Sequence, residues 1–261
     1  MIADTASPIN PSTQPGELAI TWLGHATVLI EMDGVRVLTD PVLRRRIGPL
    51  VRIVPEPETV GTVDCVLLSH LHADHADLRS LRGLDSSGPI VVARPGKDWL
   101  SSHGLTHVAE LRVGEKIAVR ELIVTATPAT HDRRRRPFGP EADPVGYVIQ
   151  GSRSVYFAGD TGLFLAMAEL RGAIDAALLP IWGWGSRVGA GHLDPDSAAA
   201  ATSLIAPSIV IPIHWGTFAL VRPLRRSGDP QRPAREFAAL ARRYAPGVKI
   251  RTLAPGERTV L

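Results

Sequence analysis

Three histidines and an aspartate within six consecutive residues constrain this chain more than any other feature of its sequence. They follow a short apolar run, residues 63–68, which is rich in β-branched side chains and predicts a buried strand. A hydrophobic core does not require imidazole and carboxylate groups at this density. The four residues are His70, His72, Asp74 and His75. We therefore expect a chemically active site where this strand ends.

Three later segments repeat the same arrangement of an apolar run that ends in a metal-ligand type of side chain. The runs, each with the residue that follows it, are 122–127 with His131, 155–159 with Asp160, and 209–213 with His214. Since four separate strands each deliver such a residue at the carboxyl end, the sequence predicts that these residues converge on one metal centre.

The number of candidate ligands predicts more than one ion. One tetrahedral ion takes about four ligands in a closed site and about three plus water in a catalytic site. The seven candidates therefore fit two divalent ions better. Imidazole and carboxylate without thiolate suit Zn most simply, and they also permit Mn, Fe, Co or Ni. The alternative is a helix-capping aspartate beside histidines on an exposed loop, and it leaves the three downstream residues unexplained.

These motifs resemble a known family. Segments 70–75 (HLHADH), 159–162 (GDTG) and 213–216 (IHWG), with His131, resemble the metallo-β-lactamase superfamily of binuclear hydrolases. Segments 22–27 (WLGHAT), 38–41 (LTDP) and 192–195 (HLDP) look like the branch that contains N-acyl phosphatidylethanolamine phospholipase D. Ascorbate-6-phosphate lactonases are more distant relatives. The resemblance extends from about residue 17 to residue 220.

The resemblance implies a fold and a ligand assignment. The fold is a four-layer αββα sandwich, in which two mixed β-sheets are flanked by helices. The resemblance places His70, His72 and His131 on one ion, Asp74, His75 and His214 on the other, and Asp160 as the bridging carboxylate.

The expected activity is hydrolysis of an ester-like bond. Two ions about 3.5 to 4 Å apart can share a water and lower its pKa toward neutrality, which supplies a hydroxide nucleophile. The candidate catalytic residues are Asp74, Asp160, His192 and His25. Either of the two histidines can stabilise developing charge or donate a proton. A phosphodiester is the first candidate substrate, and a small lactone, possibly phosphorylated, is the alternative.

Two classes of function outside small-molecule hydrolysis are also considered. A metal-dependent nuclease would use the arginine-rich loops, but the chain lacks a regular groove-lining pattern of basic and aromatic residues. A metal-binding scaffold without turnover would not need a complete ligand set. We therefore expect a small-molecule or lipid-like anionic substrate rather than nucleic acid.

Several residues near the motifs are candidates for substrate binding or for support of the ligands. Residues 133–136 are four arginines just after His131, and they form either a clamp for phosphate or carboxylate or a solvated loop. The glycine-rich loop 182–192 carries Trp182 and Trp184, which either form a pocket wall or fold into the core. The candidate pocket residues are Trp182, Trp184, Arg133 and Arg134, with Phe138 beside the arginines.

Two residues of the first strands have open roles. Asp40 either orients a metal-bound imidazole from behind or caps the turn before Pro41. His25 either lines the pocket or is structural. An apolar wall with a cationic rim would favour an anionic phosphodiester with a hydrophobic tail, and salt would weaken its binding because exposed charges are screened over about 8 to 10 Å.

The organisation of the chain favours one large domain. With 261 residues and 44% hydrophobic content, residues 17–261 can form one hydrolase domain, preceded by a flexible arm at 1–16. The arm lacks the features of a signal peptide, and no segment reaches the ~18 apolar residues of a transmembrane helix. The single cysteine, Cys65, excludes an intrachain disulfide. We expect a cytoplasmic protein, a helix at 163–171 and a last strand at 248–253.

Overall fold

The structure is a computed structural model that describes residues 16–57, 59–135, 139–182, 188–220 and 229–261. The strands, in chain order, are β1 Leu18–Gly24, β2 Thr27–Met32, β3 Val35–Thr39, β4 Arg46–Ile47, β5 Leu50–Arg52, β6 Cys65–Leu68, β7 Ile90–Ala93, β8 Val108–Leu111, β9 Lys116–Val119, β10 Leu122–Pro128, β11 Val145–Gln150, β12 Ser154–Phe157, β13 Ala176–Pro180, β14 Ile209–Ile213, β15 Phe218–Leu220, β16 Lys249–Ile250 and β17 Arg258–Val260. The helices are α1 Leu78–Gly83, α2 Lys97–Ser102, α3 Pro195–Ile205 and α4 Arg232–Tyr244, with a 3₁₀ helix at Leu165–Leu170. The predicted arm at 1–16, apart from Gly16, lies outside the described residues.

Two seven-stranded mixed sheets form the centre of the fold. The first has the order β17-β1-β2-β3-β6-β7-β8, and the second has the order β16-β14-β13-β12-β11-β10-β9. In each sheet four antiparallel strands are followed by parallel strands. The two sheets therefore share one arrangement of strands, although β17 of the first sheet comes from the carboxyl end of the chain.

Alternating side chains of the strands build the layers. On β2, Val28, Ile30 and Met32 belong to the large core between the sheets, whereas Leu29 belongs to a second core beneath α1 and α2. Successive strand residues point to opposite faces, so one strand serves both cores. Helices α3 and α4 pack on the second sheet through residues such as Phe237. The predicted four-layer αββα sandwich is confirmed.

Local signals account for the main turns and helix starts. Asp33 and Gly34 both have positive φ between Met32 and Val35, as expected for the tight hairpin turn that the sequence predicted. The Asp194 side chain accepts a hydrogen bond from the Ser197 amide, and the Ser197 hydroxyl oxygen accepts one from the Asp194 amide. This capping box fixes where α3 begins.

Two predictions about secondary structure were wrong in part, and two features were missed. The helix expected at 163–171 is a shorter 3₁₀ helix, and only Lys249–Ile250 of the run 248–253 pairs as a strand. The last strand is β17, which pairs with β1 and was missed because it is short and follows a polar turn. The strands β4, β5 and β15 form a small third sheet that the sequence did not indicate. No helix among the described residues is long and apolar enough to cross a membrane.

Candidate metal centre

The seven predicted ligands converge at one edge of the sandwich. The segment 70–75 follows β6 of the first sheet, whereas His131, Asp160 and His214 follow β10, β12 and β14 of the second. The carboxyl ends of these strands lie on the same side of the molecule, so their loops meet above the junction of the two sheets. Strand topology therefore brings together residues that are up to 144 positions apart in the sequence, from His70 to His214.

One group of donors consists of three histidines. His70, His72 and His131 each offer a ring nitrogen, and these nitrogens lie within 4.8 Å of one another. The closest approach is 3.1 Å, between His131 Nε2 and His72 Nδ1. The group matches the set that the resemblance assigned to one ion.

A second group lies beside the first. It contains one donor atom each from His25, Asp74, His75 and His214, again within 4.8 Å. Three of these are the residues that the resemblance assigned to the other ion, and His25 is additional. The His25 and His214 rings are in contact, with centroids 4.0 Å apart.

Asp160 lies between the two groups. Its Oδ2 is 3.2 Å from His75 Nε2 and 3.9 Å from His131 Nε2, and its Oδ1 is 3.3 Å from His214 Nε2. One carboxylate thus reaches donors of both groups. This is the position that a bridging ligand requires.

Each histidine in the predicted set has its outer ring nitrogen held by an oxygen acceptor. The pairs are His70 Nδ1 with Ser69 Oγ at 2.9 Å, His72 Nε2 with the Arg134 carbonyl at 2.9 Å, His75 Nδ1 with Asp40 Oδ2 at 2.7 Å, His131 Nδ1 with the Gly191 carbonyl at 2.8 Å, and His214 Nδ1 with the Trp182 carbonyl at 2.6 Å. The outer nitrogen donates its proton in each pair, so a neutral ring directs a lone pair toward the cluster. Metal-binding histidines are commonly oriented in this way.

The interior of the cluster fits a metal rather than a hydrogen-bond network. His70 Nε2 is buried and has no hydrogen-bond partner within the described chain. A buried polar atom without a partner costs about 1–3 kcal/mol. A divalent ion would satisfy that nitrogen, and imidazole with carboxylate is a donor set that such ions accept. The residues present therefore fit a divalent metal.

Asp40 is hydrogen-bonded to residues of both donor groups, directly to His75 and through Ser69 to His70. Its carboxylate accepts hydrogen bonds from His75 Nδ1 at 2.7 Å, from the Ser69 amide at 2.7 Å and from the Ser69 hydroxyl at 2.6 Å. Ser69 in turn contacts His70. Asp40 is fully buried, and these contacts favour the orienting role over the turn cap, which was the other role considered for it.

Gly159 allows the end of β12 to approach this network. Its φ is +60°, and a Cβ at this position would lie 2.4 Å from the Cβ of Ser69. A side chain would therefore displace the serine that links Asp40 to His70. The glycine before Asp160 is explained by this close approach.

The two histidines proposed for catalysis occupy different environments. His192 Nε2 lies 3.5 Å from Asp160 Oδ2, and its side chain is 24% exposed, so it faces the open side of the centre. His25 is only 1% exposed, and its Nε2 lies 3.4 Å from Asp74 Oδ2. His25 therefore lies against the candidate ligands and away from solvent.

The described arginines of the run 133–136 make different contacts. Arg135 donates to the carbonyl of Leu71, and its guanidinium lies 4.5 Å from the centre of the Trp99 ring, so it holds the ligand loop in place. Arg133 is exposed and pairs with Asp143 at 2.8 Å. Arg134 is also exposed, and its backbone carbonyl is the acceptor for His72. Arg136 and Phe138 lie outside the described residues.

The tryptophan loop is only partly described. The Trp182 side chain lines a hollow beside Pro195 of α3 and Leu240 of α4, and it packs against the main core. Its carbonyl, rather than its ring, faces the centre and holds His214. The described contacts of Trp182 favour the core packing that was the alternative for this residue. Trp184 lies outside the described residues.

The charges of the metal-free cluster are strongly coupled. Burial alone would lower the pKa of His75, but the carboxylates of Asp160, Asp40 and Asp74 hold that pKa well above its ordinary value. Burial lowers the pKa of His131 to about 4, so this ring stays neutral at pH 7. Burial opposes the charge on Asp160, but His214 and His75 hold its pKa well below the usual range. His75 therefore carries a second ring proton in the metal-free protein at neutral pH.

This protonation predicts proton release on metal binding. To ligate an ion, His75 must lose its Nε2 proton while it keeps the Nδ1 proton that it donates to Asp40. We expect zinc binding at pH 7 to release about one proton from this residue. Calorimetric titration in buffers of different ionisation enthalpy measures the number. An observed enthalpy that is the same in every buffer would contradict this assignment.

Several supporting residues were not identified from the sequence. Ser69 was not among the candidate residues, although its small hydroxyl directly before His70 was a usable signal. The sequence could not predict that the backbone carbonyls of Arg134, Gly191 and Trp182 accept hydrogen bonds from the histidines, because every residue has a carbonyl group.

Comparison with known proteins agrees with this geometry. Residues 35–215 match the family model described as the beta-lactamase superfamily domain. A protein of Methanopyrus kandleri named as a metal-dependent hydrolase is 36% identical over 251 residues, which span 92% of this chain and 98% of the relative. The N-acyl-phosphatidylethanolamine-hydrolyzing phospholipase D 1 of Caenorhabditis elegans is 32% identical over 235 residues, which span 77% of this chain and 64% of that protein.

A solved structure supports the same conclusion. The metallo hydrolase from the hyperthermophilic archaeon Ignicoccus hospitalis superposes with a TM-score of 0.69 at 25% identity, and the alignment covers 94% of this chain and 98% of that one. The family match covers well over half of the chain, and the relative from Methanopyrus kandleri spans nearly all of it. The chain therefore belongs to the metallo-β-lactamase superfamily, among its metal-dependent hydrolases.

Proposed function

We propose that the protein hydrolyses a phosphodiester with the help of two divalent metal ions, of which Zn is the simplest choice. The observation that carries this proposal is the position of Asp160, whose carboxylate lies within 4 Å of histidines from both donor groups. His70, His72 and His131 would hold one ion, and Asp74, His75 and His214 would hold the other. Bound in this way, divalent ions supply Lewis acidity and lower the pKa of a coordinated water.

The protein residues around the ions have separate roles in this proposal. Asp160 holds the two halves of the centre together. Asp40 and the backbone carbonyls fix the ring orientations, so the donors need not reorganise during the reaction. His25 fixes the carboxylate of Asp74. His192 is the exposed histidine next to Asp160, and its Nε2 can donate a proton to the leaving oxygen.

The choice of a phosphodiester rests on two observations. The relative from Caenorhabditis elegans is named for hydrolysis of a phospholipid, and it aligns with 77% of this chain. The surface beside His131 also carries exposed arginine side chains, which suit an anionic substrate.

A substrate comparison tests the proposal. The zinc-loaded protein is offered bis(p-nitrophenyl) phosphate, a simple lactone, a β-lactam and single-stranded DNA, each at several salt concentrations. We expect phosphodiester hydrolysis that weakens as salt rises, because exposed arginine contacts are screened. Preference for the lactone without a salt dependence would favour a lactonase, and cleavage of DNA alone would favour a nuclease.

Replacement of His192 separates chemistry from metal binding. We expect His192→Ala to keep the wild-type metal content and to lower kcat by about 10²-fold or more, which is typical when a general acid is lost. Elemental analysis and steady-state kinetics measure the two quantities. His103→Ala is a matched control, because His103 lies outside the centre and bonds the carbonyl of Trp99. If His192→Ala loses metal, His192 is a ligand and not a proton donor.

A further inference from the structure

A cleft of about 820 Å³ lies directly beside the candidate metal centre. It is formed where β7, β8 and β10 end, together with the loop before β11. Its volume lies in the range of about 300–1,000 Å³ that small-molecule sites occupy. Among the candidate ligands and catalytic residues, His131 alone is in its described lining. The cleft is therefore large enough for the part of a substrate that does not react.

The cleft is continuous with the first donor group. His131 lines the cleft, and its ring nitrogen also lies within 4.8 Å of the donor nitrogens of His70 and His72. The neighbouring Thr130 amide donates to the Thr161 hydroxyl at 2.9 Å, which joins the cleft wall to the residue after Asp160. A molecule whose reacting bond lies at the centre can therefore extend into the cleft past His131.

The lining combines an apolar surface with arginine side chains. Its apolar residues are Ala93, Pro95, Leu111, Val113, Pro128, Ala129, Pro144 and Val145. Its charged residues are Arg94, Arg112, Arg133 and Asp143. Val113 is 49% exposed, so it adds apolar surface at the rim of the cleft. The lining residues carry three positive charges and one negative charge, and Glu110, which pairs with Arg94, lies next to them.

Two of the three arginines have weak partners. Arg94 pairs with Glu110 at 3.4 Å, and Arg133 pairs with Asp143 at 2.8 Å, with both arginine side chains about half exposed. An exposed pair such as Arg133–Asp143 contributes only about 0–1 kcal/mol, so an anionic ligand can replace Asp143. Glu110 is 16% exposed, but the Arg94 side chain is 48% exposed and can also contact a ligand. The guanidinium of Arg112 makes no hydrogen bond or ion pair that the structure shows within its described residues. These three guanidinium groups are available to a ligand.

From these observations we propose that the cleft binds an apolar segment of several carbons that ends in a carboxylate or phosphate, attached to the substrate beyond its scissile bond. The proposal rests on the proposed hydrolytic function, which it extends to a substrate class. The apolar lining takes the carbon segment, and Arg94 and Arg112 bind the terminal anion. Arginine suits both anions because its planar donors match their paired oxygens.

Calorimetry with octanoate, octyl phosphate and octanol tests the proposal without turnover. Each probe is titrated into the zinc-loaded protein and into the same protein after chelation. We expect both anionic probes to bind in both states and octanol to bind more weakly. The double variant Arg94→Gln/Arg112→Gln should lose about tenfold or more in affinity for the anions, as expected when charge-assisted hydrogen bonds are removed. Arg153→Gln is the matched control. Arg153 is an exposed arginine directly before β12, and it pairs with Asp175 away from the cleft.

The outcomes separate this proposal from the proposed function. Anion binding that disappears on chelation and is unchanged in the double variant would place the probe on the metal and overturn the cleft proposal. Equal affinity for octanol and octanoate would also overturn it, because no anion would then be recognised. Arginine-dependent binding in a protein that hydrolyses no phosphodiester would contradict the proposed reaction and leave the cleft assignment standing. A preference between the two anions decides between a carboxylate and a phosphate.

Discussion

Asp160→Ala is expected to abolish hydrolysis and to lower the content of both metals. The variant removes a carboxylate that lies within 4 Å of histidines from both donor groups. It also removes an anion that holds the pKa of His75 high, so the remaining cluster loses charge as well as a ligand. We expect kcat/KM to fall by about 10³-fold or more, at the upper end of what loss of one electrostatic group costs.

Two further variants make this test specific. Asp160→Asn keeps the shape of the side chain and removes its charge, so it should lose metal nearly as completely as the alanine variant. Asp98→Ala is a matched control, since Asp98 is an exposed aspartate in the first turn of α2. Kinetics and elemental analysis on the four proteins measure the effect. If Asp160→Ala retains full metal content and measurable turnover, Asp160 does not bridge the centre.

Asp40→Ala is expected to have the largest effect on stability. The variant leaves the Ser69 amide, the Ser69 hydroxyl and His75 Nδ1 without their acceptor in a fully buried position. Each buried group without a partner costs about 1–3 kcal/mol, so the free energy of unfolding should fall by about 3 kcal/mol or more. For a chain of this size the melting temperature should fall by roughly 6–12 °C. Differential scanning calorimetry of the metal-free protein measures it.

The same variant should weaken metal binding. Loss of a residue that orients a metal-bound imidazole typically costs about 10- to 100-fold in affinity. Asp40→Asn separates the two effects, because the amide oxygen can still accept from the Ser69 amide but offers no charge to His75. We expect the asparagine variant to fold more stably than the alanine variant and still to bind zinc more weakly than the wild type. Wild-type affinity in Asp40→Asn would reduce Asp40 to a structural role.

The sequence predicted that the candidate ligands converge because the signals were local. Each ligand lies in the loop that follows an apolar run, and the carboxyl ends of parallel strands meet at one edge of a sheet. The pairing of strands into two sheets then followed from the family resemblance. The ligand grouping that the resemblance implied agrees with the two clusters of donor atoms, with His25 as an added neighbour.

The residues of the proposed substrate cleft were not predicted because they are distant in sequence. Arg94 and Arg112 belong to no motif, and they line the same cleft as His131 only because β7 and β8 end beside β10. Arg135 looked equivalent to its neighbours in the arginine run, yet it is half-buried and bonds the ligand loop. Trp182 was expected at the pocket, but its contacts lie between α3 and α4. The sequence identified arginine and tryptophan residues as candidates for substrate binding. Their positions in the fold decide whether those side chains reach a substrate.

Two metal ions that share Asp160 are expected in one chain. Elemental analysis of protein loaded with excess zinc and then desalted measures their number. We expect about two ions per chain, because seven donors with one bridging exceed what a single tetrahedral site accepts. A stoichiometry near one, with no second and weaker site detected by calorimetry, would contradict it.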